Sequence, residues 1–104
     1  MIDWDALPAS TPQPGVEARR FDGAAMTVVE YRFAAGAAGY PLHRHPEEQL
    51  VQVLEGTLDF TVAGVVTRLG PGQSAYVAGG VEHGARPVGG TGARFLNIVA
   101  PRRP

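Results

Sequence analysis

The chain has no cysteine, and with no lysine either, all nine of its basic residues are arginine. The first absence excludes a disulfide framework and any thiolate metal site. Basic excess is also missing: the net charge is −1. A nucleic-acid partner is therefore not expected, because phosphate binding needs clustered Lys and Arg. No run approaches the ~18 apolar residues that span a bilayer as a helix, so no membrane partner is expected. The opening residues, Met1-Ile2-Asp3-Trp4-Asp5, place acids where a secretory leader carries positive charge. These features predict a cytoplasmic protein. Long helical periodicity is lacking as well, and no segment repeats an apolar face over enough turns to make a stable helix.

What the chain does have is punctuation. Fourteen Gly and nine Pro spread along 104 residues cut it into short β-rich runs. Such runs at fairly even spacing predict an all-β sandwich or barrel in one domain. Residues 1–20 read as a Pro-rich N-terminal arm, with Trp4 and Leu7 free to pack on the body or on a partner, and residues 21–104 as the barrel domain. The strands expected are Met26–Phe33, Tyr40–His45, Gln49–Glu55, Thr57–Val62, Val65–Leu69, Ser74–Val77 and Ala93–Val99. In Gln49–Glu55, Leu50 and Leu54 alternate with Val51 and Val53, which predicts burial on both faces. Asp59 alternates with Leu58 and Phe60 and is expected on the outer face. Apolar residues on both faces and an apolar arm predict a homodimer whose interface includes the N-terminal segment.

Three histidines carry the chemistry. His43 and His45 are two residues apart on an extended segment, so both imidazoles project to one side. Imidazole is the commonest side-chain ligand of the divalent transition metals. Gln49 follows four residues later, after a bend at Pro46-Glu47-Glu48 that breaks the parity argument. Glu47 and Glu48 remain rivals for that position, or form a solvated bend. His83, from a distant segment, can close a site across the barrel interior. Tyr31, Tyr40 and Tyr76 can each donate to a substrate oxygen or pack in the core. Arg32 and Arg94 bind a carboxylate if they point inward and are solvated if they point outward.

The order of these residues resembles the paired motifs of the cupin superfamily. The first motif reads Gly39-Tyr-Pro-Leu-His43-Arg-His45-Pro-Glu-Glu-Gln49-Leu-Val-Gln-Val-Leu-Glu-Gly56. The second reads Gly72-Gln-Ser-Ala-Tyr-Val-Ala78-Gly79-Gly80-Val-Glu-His83-Gly-Ala-Arg-Pro87. Gln49 stands where the family usually has Glu, Ala78 replaces a Pro and Pro87 replaces an Asn. The resemblance implies a single-domain jelly-roll barrel holding one divalent ion (Zn, Fe, Mn or Ni) through His43, His45, Gln49 and His83. It implies a metal-dependent enzyme acting on a small oxygenated metabolite of the carboxylate or sugar-acid type; among the residues weighed above, Tyr31, Tyr76 and Arg94 are the candidate substrate contacts. The alternatives are a non-catalytic binding module and an iron-dependent dioxygenase. Nothing acidic follows Glu82, so a proton-moving acid on the last strands is missing.

Overall fold

A computed structural model describes residues 1–104. Ten strands follow a 3₁₀ turn at Trp4–Ala6: β1 Ser10–Gln13, β2 Val16–Asp22, β3 Thr27–Phe33, β4 Tyr40–His43, β5 Glu48–Gly56, β6 Leu58–Val62, β7 Val65–Leu69, β8 Ser74–Val77, β9 His83–Pro87 and β10 Ala93–Ala100. They form two antiparallel sheets, ordered β1-β2-β3-β10-β5-β8 and β4-β9-β6-β7. The result is an all-β jelly roll.

Alternation decides which side chains go inside. On β10, Ala93, Phe95, Asn97 and Val99 are buried, while Arg94, Leu96, Ile98 and Ala100 are only partly covered. Val51, Val53, Leu58, Phe60, Val77 and Phe95 meet in the core between the sheets. Burial stabilises each of these by roughly 1.5–3 kcal/mol. Gly39 and Gly56, the outer glycines of the first motif, both have φ near +75°. A Cβ at Gly39 would run into the Ala85 carbonyl, and one at Gly56 into that of Gly92. Both positions exclude side chains, because the chain must turn left-handed and pass close to another backbone.

Three expectations need correction. The arm ends earlier than residue 20, since Ser10–Gln13 and Val16–Asp22 are strands of the larger sheet. Pro12 is tolerated because β1 lies at the sheet edge. Strand β5 is not buried on both faces: Leu50 is 38% exposed. It belongs to an outward row, Phe21-Val28-Ile98-Leu50-Tyr76, in which each residue pairs with the next across five strands. Finally, β9 itself was not foreseen.

The outer face of the larger sheet also carries a buried ionic cluster. Glu30 has no exposed surface. It accepts from Arg32 Nε at 2.7 Å, Arg32 Nη2 at 2.9 Å and Arg94 Nε at 3.0 Å. Arg32 reaches on to Asp5 of the 3₁₀ turn, and Arg94 to Glu55. Burial pushes the Glu30 carboxyl up, but the Arg32 and Arg94 hydrogen bonds outweigh it and hold the group below its ordinary value. On the smaller sheet Asp59 does face outward, yet it is covered by Arg68, whose guanidinium donates to it at 2.9 and 3.2 Å.

Candidate metal centre

Strand pairing brings the histidines together. His43 on β4 lies directly opposite His83 on β9. Directly opposed residues of an antiparallel pair hold their side chains ~5 Å apart. His45, two residues past His43, falls on the same side. The ring centroids are 4.4 Å apart for His43–His83, 4.7 Å for His45–His83 and 5.7 Å for His43–His45. One ligand atom from each ring lies within 4.8 Å of the others, close enough for all three to hold one ion.

The tautomers are fixed by the backbone. His43 Nδ1 lies 2.8 Å from the Pro41 carbonyl, His45 Nδ1 3.0 Å from that of Glu47, and His83 Nδ1 2.9 Å from that of Val81. A carbonyl only accepts, so each Nδ1 carries a proton, and in the neutral ring each Nε2 then presents a lone pair. Burial pushes the His83 imidazole down, which keeps that ring neutral.

Gln49 joins the set from the start of β5, buried and facing inward. Its Oε1 is 3.0 Å from His45 Nε2. Two acceptors aimed at one point repel unless a cation sits between them. His83 Nε2 is buried with no hydrogen-bond partner. An orphaned buried acceptor and facing lone pairs are what a divalent ion satisfies, so the donor set fits a metal. Neither rival glutamate shares the convergence point. Glu48 is exposed and accepts from Tyr76 Oη at 2.9 Å. Glu47 is buried rather than solvated, and its Oε2 lies 4.0 Å from His45 Nδ1, on the far side of that ring.

A cavity of about 390 Å³ opens beside the histidines. Tyr31, Phe60, Phe95, Asn97 and Arg103 line it with His43, Gln49 and His83. Of the expected substrate contacts, only Tyr31 is there. Arg94 shares the parity of Glu30 and Arg32 and sits on the opposite face of the sheet, in the ionic cluster. Tyr76 is also outward and 58% exposed. Burial pushes the Tyr40 hydroxyl, another lining group, well up, so it stays protonated and can donate.

Sequence reasoning missed three polar cavity residues, Gln13, Asn97 and Arg103. Asn97 had a signal, being the one polar residue at inward parity in β10. It is 9% exposed and its Oδ1 has no partner. Arg103 had none, because it reaches the cavity only when residues 101–104 fold back over the barrel end.

A sequence profile of the family described as "Cupin domain" matches residues 29–99. The chain belongs to the cupin family. Among solved structures, this cupin resembles an RmlC-like cupin from Shewanella frigidimarina at 25% identity and a TM-score of 0.89, over 99% of this chain and 91% of that one. KdgF from a Halomonas species matches at 23% identity and a TM-score of 0.87, over 95% and 90% of the two chains. Bacillus subtilis oxalate decarboxylase matches at 19% identity and a TM-score of 0.82, over 96% of this chain but 29% of the larger one. The last two likenesses concern the fold alone. No curated protein matches the sequence.

Proposed function

We propose that this cupin is a metal-dependent protein acting on a small carboxylate-bearing metabolite. The supporting observation is that three of the four convergent donors, His43, Gln49 and His83, line one cavity with Arg103. A divalent ion held by His43, His45, Gln49 and His83 keeps its full formal charge, and supplies Lewis acidity toward a chelating oxygen pair. Arg103 adds a second positive group and matches a carboxylate through its planar fork. Tyr40 and Tyr31 present hydroxyls to a ligand oxygen, and Asn97 offers an unpaired amide. Phe60 and Phe95 exclude water from the apolar side.

One observation favours a second reading, a binding module without turnover. No carboxylate lines the cavity, so proton transfer lacks an acidic side chain at the ligand. Turnover, if present, uses the tyrosine hydroxyls or bound water.

The metal reading is tested on untagged protein. His43→Ala, His45→Ala or His83→Ala should each lower metal content at least tenfold while the β-sheet circular dichroism is retained. Full occupancy in all three variants would reject it. Calorimetry with a panel of small carboxylates, neutral sugars and neutral aromatics then tests the ligand class. Tighter binding of a neutral aromatic would move the assignment to a dioxygenase.

A further inference from the structure

Arg103 is held in the cavity wall by groups that lie outside it. Its backbone N–H donates to Thr27 Oγ1 at 3.0 Å, and its carbonyl accepts from Arg20 Nη2 at 2.9 Å. Both polar groups of the residue's own backbone are therefore taken. Thr27 Oγ1 in turn donates to Asp22 Oδ1 at 2.8 Å, and Arg20 Nε lies 3.0 Å from both Asp22 oxygens. Thr27 is fully buried. Arg102 Nε approaches the same carboxylate at 3.7 Å. Asp22 and Thr27 are a register pair on β2 and β3, so the sheet itself fixes the spacing of this assembly. None of the three is a metal donor or lines the cavity. On the ligand side, the Arg103 guanidinium has one loose tether, Glu47 Oε1 at 3.8 Å from its Nε.

We propose that Arg20, Asp22 and Thr27 form a clamp that positions Arg103 as the carboxylate-recognising residue of the cavity. The clamp acts on specificity and leaves the metal donors alone. This rests on the metal-and-carboxylate reading above. Thr27 is its pivot, because one hydroxyl accepts from Arg103 and donates to Asp22, using both of its capacities at once. A guanidinium displaced by about an ångström loses its fork geometry toward a carboxylate. Arg20, Asp22 and Thr27 are positioning residues, since they touch Arg103 and not the ligand.

The experiment uses the full chain loaded with zinc and titrated calorimetrically with malonate. Imidazole, titrated at a pH above its own pKa so that it is neutral, is the control probe. Arg103→Met should weaken malonate binding roughly 10- to 100-fold, the range of one lost charge-assisted hydrogen bond. Thr27→Val, which keeps the side-chain shape, should weaken it by about 5- to 10-fold, on the argument that the fork is misplaced and not deleted. Thr27→Ser should restore it. Zinc affinity and imidazole binding should stay at wild-type values in Thr27→Val and Thr27→Ser. The Arg103 Nε–H proton resonance should shift with malonate in wild type and broaden in Thr27→Val. Unchanged malonate affinity in Arg103→Met, with zinc still bound, overturns the inference and leaves the metal reading standing. Parallel loss of zinc, imidazole and malonate binding in Thr27→Val also overturns it, because the hydroxyl then supports only the fold. Failure of wild type to bind zinc or any other divalent ion rejects the metal reading itself.

Discussion

Glu30→Gln tests the claim that the outer ionic cluster is a structural element and not a ligand site. The substitution keeps the volume and removes the charge. In the native fold the carboxylate accepts three hydrogen bonds from two guanidiniums, at 2.7, 2.9 and 3.0 Å. Charge-assisted bonds contribute roughly 1.5–3 kcal/mol each when fully buried. The Arg32 and Arg94 side chains are 29% and 30% exposed, so water screens part of that. Asp5 and Glu55 also remain to hold them. Breaking one side of a buried ionic network costs about 3–5 kcal/mol, and the screening places this case near the lower end, about 3 kcal/mol. For a domain of this size that lowers Tm by roughly 12–24 °C. Urea titration and thermal melting read the loss directly.

The same variant carries a pH signature. The folded Glu30 carboxyl lies below its ordinary 4.5, so the unfolded chain binds more protons there. Its contribution is fully present above about pH 4.5 and is lost as pH falls through the depressed folded value. Wild-type stability should therefore fall on acidification by more than that of Glu30→Gln, and the two curves should converge at low pH. Zinc stoichiometry should be unchanged, since the cluster lies on the outer face of the larger sheet and His43 and His83 come from the smaller sheet. A loss below about 1 kcal/mol at neutral pH would refute the reasoning, because it would mean that solvent and the neighbouring acids replace the carboxylate almost fully.

Gln49→Glu adds a negative charge at the ion and should weaken malonate binding to the metal-loaded protein several-fold by calorimetry; stronger binding would show the electrostatic argument to be wrong. The outward row of Phe21, Val28, Ile98, Leu50 and Tyr76 is expected to pair with the same row of a second copy. Light scattering should then give a homodimer at micromolar concentration, and Leu50→Asp a monomer; a monomeric wild type would end that idea, and a dimer that survives deletion of residues 1–9 would remove the N-terminal segment from the interface.

Parts of this molecule were legible from the chain alone, and the reasons differ by residue. His43 and His45 followed from the two-residue period of an extended segment. Gln49 did not, because the Pro46 bend breaks that period, and only the motif spacing ordered it against Glu47 and Glu48. Glu47 meets Arg103 of the returning C-terminal segment, a contact that no local pattern encodes. The face of Arg94 was left open for a different reason. Alternation puts Arg94 and Phe95 on opposite faces, but an isolated strand does not say which face looks at the cavity. The pairing of β10 with β3 settles it, because Arg94 then stands beside Arg32, one step from Glu30. Pro12 and Pro14 made residues 10–20 look like part of an arm, when an edge strand needs fewer of its N–H groups and accepts proline.

The carbonyls of Pro41, Glu47 and Val81 that orient the imidazoles belong to the main chain. No amino-acid replacement can delete a carbonyl, so the outer support of the site is out of reach of ordinary point mutation. The cavity wall, by contrast, includes exchangeable side chains, among them Tyr31, Tyr40, Phe60, Asn97 and Arg103. This separates two inheritances within 104 residues. Descendants of this chain can exchange what they bind one residue at a time, while the orientation of their histidines passes on unchanged with the path of the backbone.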